Sequence, residues 1–253
     1  MLFPTLDAHG HIDSAKVQLD GVGVVLAMSL SLDEAEKSMS KDGDMICWGV
    51  GCHPRKIEAH KSFDLELFEQ LIQRTAVVGE IGLDFGSNYQ HASKASQTRI
   101  FKDILEILSK NTRIVSIHSY QATDDVLSML KKTPVESPVL HGWSGNVRQT
   151  IEAVEQGCYF SIHSSNARYS KFRNHVPLDR ILVETDNGYN DPPLGIPSRI
   201  EWVEHLVAQQ YGITQTELRD LVWRNFSDLV EKTDTIQLPP EGIRRKLSDV
   251  NSL

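Results

Sequence analysis

The chain has 253 residues, 40% hydrophobic and 24% charged, with a formal net charge of −8; this is the profile of a soluble globular protein. No apolar run approaches the roughly 20 residues that span a bilayer, and the start MLFPTLDAHGHID has no basic stretch ahead of an apolar core, so neither a membrane span nor a signal peptide is expected. The acidity argues against a broad basic face for gripping duplex nucleic acid, while leaving nucleic acid open as a substrate. Cys47, Cys52 and Cys158 form no CxxC pair, which argues against a disulfide scaffold or zinc ribbon and points to a reducing cytoplasm.

Short apolar runs alternate with longer amphipathic stretches. In chain order the expected strands are Thr5–Ala8, Val22–Met28, Met45–Val50, Ala76–Ile81, Arg113–Ile117, Ser137–Leu140, Cys158–Ile162 and Arg180–Val183. Most are rich in Val, Ile and Leu without polar alternation, as parallel strands covered on both faces are. Between the fourth and fifth, Arg99–Lys110 sets Ile100, Phe101, Ile104, Leu105 and Leu108 at helical spacing. After the eighth, Thr214 and Glu217 have capping-box spacing, with Ile213 placed to act as a staple, ahead of a stripe through Leu218, Leu221, Val222, Phe226 and Leu229. Repeated strand–helix alternation of this length predicts an α/β chain closed into a single-domain (β/α)8 barrel of the TIM type over residues 1–232. Residues 233–253, with Pro239, Pro240, Gly242 and the basic triplet Arg244-Arg245-Lys246, are expected to form a surface tail, packed on the barrel or frayed; docking of a partner is the sharper alternative.

Ionisable residues gather at the strand ends. His9 and His11 are two apart, so at the end of an extended strand both imidazoles face one side and suit a transition metal. Glu80 ends the fourth run, His118 the fifth, His141 the sixth and Asp186 the eighth. A barrel collects the C-terminal ends of its strands on one face, the face where such enzymes place catalysis. These six residues are the expected metal site.

The segments LDAHGHID, GCHP, VGEIGLDF, VSIHSYQA, LHGWSG and ILVETDNGY resemble, in order and from about Leu6 to Leu229, the TatD family of metal-dependent deoxyribonucleases in the amidohydrolase superfamily. The resemblance implies two divalent metal ions (Mg, Mn or Zn), with His9, His11 and Asp186 on one, His118 and His141 on the other, and Glu80 between them. It also implies phosphodiester hydrolysis, with single-stranded DNA trimmed in the 3′-5′ direction. Water shared between two cations loses a proton near neutral pH, and Asp186 could accept it as general base; Glu80 and Asp186 are the expected catalytic pair. A carbonyl substrate (ester, lactone or aminoacyl ester) is the alternative within enzymes. From another class comes a subunit of an anti-phage defence assembly that needs protein partners for activity.

His53 matches a family histidine near the substrate phosphate, against a role in capping its own loop. Asp84 could orient a metal-bound histidine. Further expected substrate contacts are Arg55, Tyr120, Trp143, His163 and Tyr189; Trp143 and Tyr189 could stack on a base, with packing as their other role. The chain departs from the family pattern at three points. Tyr120 stands where an arginine is usual, Asn187-Gly188 replaces Ser-Pro after Asp186, and Arg55 replaces the second histidine of HPH.

Overall fold

Eight parallel strands, all eight of those expected, alternate with helices in a computed structural model that describes residues 3–14, 23–41, 43–87, 91–168, 175–187, 200–250 and 252. The strands are β1 (Leu6–Gly10), β2 (Val24–Ala27), β3 (Ile46–Trp48), β4 (Val77–Gly82), β5 (Ile114–His118), β6 (Val139–Leu140), β7 (Tyr159–Ile162) and β8 (Ile181–Val183). The helices are α1 (Leu32–Ser38), α2 (Ile57–Lys61), α3 (Leu65–Ile72), α4 (Lys94–Leu108), α5 (Thr123–Lys132), α6 (Val147–Glu155), α7 (Ser164–Ala167), α8 (Ile200–Tyr211), α9 (Gln215–Lys232) and α10 (Glu241–Val250).

The strands pair in sequence order as two hydrogen-bonded groups, β1 to β3 and β4 to β8. Two seams close them into a barrel. At the first, Gly79 N–H donates to Val50 O at 2.9 Å and Cys52 N–H to Glu80 O at 3.0 Å. At the second, Asp186 N–H donates to His9 O at 3.0 Å and His11 N–H to Asn187 O at 2.8 Å. Register then sorts side chains by face. Leu6 pairs with Val24 and both enter the main core with the helices, while the next pair, Asp7 and Val25, faces the opposite way.

Two helices show what patterning carries and what it leaves out. The predicted box at α9 is present: Thr214 N–H donates to Glu217 Oε2 at 2.7 Å, and Glu217 N–H to Thr214 Oγ1 at 3.1 Å. By contrast, α4 starts at Lys94, five residues before the apolar stripe announces it, capped by the Ser93 hydroxyl. Its first turns hold the buried Gln97, whose amide accepts from Asp84 N–H at 2.8 Å and donates to Asp84 O at 3.0 Å. A buried polar group bound to a loop gives no periodic signal.

The segment after α9 continues into α10, whose Ile243, Leu247 and Val250 are buried in the same core as the barrel helices. Spacing of four and three puts them on one helical face, and the triplet's Arg245 and Lys246 turn outward to Glu241 and Asp249. Among the described residues, no helix is long and apolar enough to cross a membrane. Leu247→Ala is expected to cost about 2–4 kcal/mol and to lower the melting temperature by several degrees, whereas Arg245→Ala on the outer face is expected to shift stability by less than about 0.5 kcal/mol. Equal melting curves for both variants would show that α10 is not part of the folding unit.

Candidate metal centre

Glu80 is the centre of the strand-end face. It is 1% exposed, and the residues around its carboxylate are imidazoles. Its two oxygens face two different pairs. Oε2 lies 3.6 Å from His9 Nε2 and 3.1 Å from His11 Nε2, and those nitrogens are 3.4 Å apart. Oε1 lies 2.6 Å from His118 Nδ1 and 3.0 Å from His141 Nε2, and those nitrogens are 3.1 Å apart. Asp186 approaches the first pair only, with Oδ1 3.7 Å from His11 Nε2 and 3.9 Å from His9 Nε2.

Local chemistry sets which nitrogen of each ring faces inward. His11 Nδ1–H donates to Met28 O at 3.0 Å, so Nε2 turns a lone pair toward Glu80. His118 Nε2–H donates to Asp84 Oδ2 at 3.0 Å, leaving Nδ1 as the inward lone pair. His9 Nδ1 meets the Ser116 hydroxyl at 2.7 Å, and His141 Nδ1 lies 3.5 Å from Glu184 Oε1. His11 and His118 thus each turn a lone pair toward an oxygen of Glu80, an arrangement that favours positive charge between them.

Protons supply some of that charge for the side chains alone. Burial would lower the imidazole pKa values, but carboxylates outweigh it: Glu80 raises His11, Asp84 and then Glu80 raise His118, and Glu80 with Glu184 raises His141 well above the usual histidine range. Glu80 is held well below the carboxylate range by His53, His141 and its other imidazoles, against the opposing effect of burial. His9, buried and facing His141, falls to about 4. Asp186 is pushed up to about 7, chiefly by burial.

His53 plays a different part from the other four. It is buried with Nε2 3.2 Å from Glu80 Oε2, close enough to be counted with the donors around that carboxylate. Its Nδ1, however, accepts the Arg55 backbone N–H at 3.0 Å. A neutral ring that accepts at Nδ1 carries its proton on Nε2, and burial keeps His53 well below the usual histidine range. His53 therefore donates to Glu80 and has no inward lone pair. Gly51 allows this loop to lie against β4, because a Cβ there would fall 2.4 Å from Glu80 N.

A cleft of about 410 Å³ includes Glu80, Asp186, His118 and His141 in its lining. Tyr120 and His163 line it as well; His163 Nδ1 accepts Ser165 N–H at 3.2 Å at the start of α7. Arg55 Nε is 3.9 Å from Asp84 Oδ2. Trp143 is corrected as a base platform: it is 2% exposed, donates Nε1–H to Thr150 Oγ1 at 3.1 Å and packs edge-on against Phe160. Packing was its other expected role, and with the ring buried it has no face to offer a base. Tyr189 lies outside the described residues.

Sequence reasoning missed two buried carboxylates. Glu184 accepts Gly142 N–H at 2.7 Å, is hydrogen-bonded by the Ser161 hydroxyl and faces His141. Asp7 accepts Thr185 N–H at 3.0 Å and the Thr185 hydroxyl at 2.5 Å, lacing β1 to the end of β8; burial pushes it up to about 7. The available signal was alternation, since each stands two residues before a recognised member, Asp186 and His9, and so shares its face.

Comparison with known proteins agrees with this geometry. The family model described as TatD related DNase matches residues 6–231. Human Deoxyribonuclease TATDN3 is 26% identical over 176 residues, covering 66% of this chain and 64% of the human protein, and mouse TATDN3 is matched over 61% of its length. The Escherichia coli K12 metal-dependent hydrolase YcfH is 26% identical over 258 residues, 88% of this chain and 94% of that protein. In structure, the TatD homologue YJJV of Escherichia coli K12 shares the fold with a TM-score of 0.77 at 24% identity, covering 90% of this chain and 98% of that one. The match takes in every strand of the barrel and every residue facing Glu80, so the chain belongs to the TatD-related DNase family, and with it to the metal-dependent hydrolases that act on ester bonds.

Proposed function

We propose that this chain is a two-metal phosphodiesterase that removes nucleotides from the 3′ end of single-stranded DNA. The observation that carries the reading is the split of Glu80. Each of its oxygens faces one pair of imidazole nitrogens, His9 with His11 and His118 with His141. Among the described residues the ion-pair partners of Glu80 are histidines, with no lysine or arginine to compensate the carboxylate. A buried carboxylate ringed by imidazole nitrogens fits divalent cations, which would take the place of the protons. His9, His11 and Asp186 would hold one, His118 and His141 the other, and Glu80 would serve both. When bound, such ions supply Lewis-acid polarisation of a phosphoryl oxygen and acidify water near neutral pH.

The protein's own groups do the rest. Asp186, raised by burial to about 7, has the basicity to take a proton from water near neutral pH. Its carboxylate faces the cleft from the His9–His11 side, with the side chain 20% exposed. His53 steadies Glu80 with its Nε2 proton, and Asp84 holds His118 in the orientation that leaves Nδ1 free. The DNA substrate is supported by the family description and by the human relative's name. A chain end rather than duplex is favoured by the cleft's size, which is that of a small-molecule pocket, and by the net charge of −8.

Purified protein given end-labelled single-stranded DNA with magnesium, manganese or zinc is expected to shorten it from the 3′ end, and Asp186→Asn to lose about 10²–10⁴ of the rate. Absence of trimming with every metal, in protein that holds two ions, would overturn the nuclease reading. A second expectation concerns His53. His118→Ala and His141→Ala should each lose bound metal by elemental analysis, while His53→Ala retains the wild-type metal content and loses activity; loss of an ion from His53→Ala would show that the ring is a ligand. The third follows from the raised imidazoles. Protonation of His118 and His141 stabilises the fold below their unfolded pKa, and this contribution fades as pH rises through the folded values. Metal competes with those protons, so the rise in melting temperature on adding manganese should be larger at pH 8 than at pH 6. An equal or reversed difference would count against these rings as ligands.

A further inference from the structure

We propose that Tyr120 is the stacking platform for the terminal nucleobase of the substrate, a specificity element that rests on the phosphodiesterase reading above. Large apolar side chains exposed by more than a third are few among the described residues: Leu65, Tyr120, Val147, Ile151 and Trp202. Tyr120 alone of these lines the cleft that holds Glu80 and Asp186. It is 45% exposed. An exposed aromatic ring at the mouth of a polar site offers an open face on which a base can stack.

The ring is held in place. Tyr120 follows β5 by two residues, and its carbonyl accepts Phe85 N–H at 3.1 Å, which extends the β4–β5 pairing beyond Gly82 and His118. The ring itself lies against Gly86, where a Cβ would sit 2.7 Å from Tyr120 Cε1 and 3.0 Å from Cδ1. Gly86 N–H donates in turn to Asp84 Oδ1 at 2.9 Å, and the other oxygen of the same carboxylate holds His118 Nε2 at 3.0 Å. One aspartate therefore fixes both an imidazole of the candidate metal site and the glycine shelf under the tyrosine ring. A rigid ring at a fixed offset from the reacting centre is what stacking on a base requires, and because every base has a π-face the contact is tolerant of sequence. Stacking is present before and during the chemistry, so its loss appears in KM and leaves kcat largely unchanged.

The test compares single-stranded DNA oligonucleotides that end 3′ in deoxyadenosine or in a tetrahydrofuran abasic residue, for wild type, Tyr120→Phe and Tyr120→Ala with manganese. Wild type and Tyr120→Phe are expected to prefer the base-bearing end by about tenfold in kcat/KM, and Tyr120→Ala to lose that preference through KM. Equal losses on both substrates in Tyr120→Ala, or a Tyr120→Phe variant as impaired as Tyr120→Ala, would overturn the platform. Failure of the underlying reading looks different, since wild type would then hydrolyse neither end. In that event an oligonucleotide with 2-aminopurine at its 3′ terminus decides separately: fluorescence quenched on binding to wild type and recovered with Tyr120→Ala supports the platform, and identical fluorescence with both proteins removes it.

Discussion

A carboxylate placed where water cannot reach it must be answered by positive charge or by hydrogen-bond donors, and the Glu80 carboxylate is placed that way. Each of its oxygens is met by a pair of imidazoles from two strand ends or one strand and its extension: β1 supplies His9 and His11, β5 and β6 supply His118 and His141. The backbone around Glu80 is arranged for the same purpose. Cys52 donates to its carbonyl, Ser29 accepts its N–H, and Gly51 gives up a side chain so that the two segments can approach. Positions on four strands are thereby set by one anion.

The outer contacts then divide the histidines by task. Those whose far nitrogen donates to Met28 O or to Asp84 present a lone pair to the centre; His53, whose far nitrogen accepts from a backbone amide, presents a proton. Ring identity and distance to Glu80 are nearly the same in both cases, and the distinction comes from the second contact of each ring. Asp84 extends this logic outward, since its two oxygens tie His118 to the shelf at Gly86.

Much of this architecture was legible in the sequence because a parallel barrel converts strand order into spatial order. Glu80, His118, His141 and Asp186 were recognisable as polar residues closing apolar runs, and each of those runs became a strand. What remained hidden was of two kinds. Glu184 and Asp7 are buried carboxylates inside or beside strands, and their partners, Ser161 and Thr185, are distant in sequence or unremarkable in type. Gln97 and Trp143 owe their positions to contacts with Asp84 and Ala92 and with Thr150 and Phe160 that leave no periodic trace. The inward pairing at Glu80 was implied by family resemblance, whereas the proton placement on His53 needed coordinates.

The seam between β1 and β8 has a consequence for how the chain is made. Asp7 and Thr185 meet across 178 residues, and His9 needs the backbone of Asp186 beside it. A ribosome releases β1 early, but its partner strand emerges only after the first seven strands have been translated. From the emergence of β4 until that of β8, the nascent polypeptide holds its first two histidines and Glu80 without the carboxylate of Asp186. The chain therefore brings the Asp186 carboxylate to its imidazoles only as the barrel closes, so a stalled or truncated translation product carries the imidazoles without the carboxylate that completes the strand-end face.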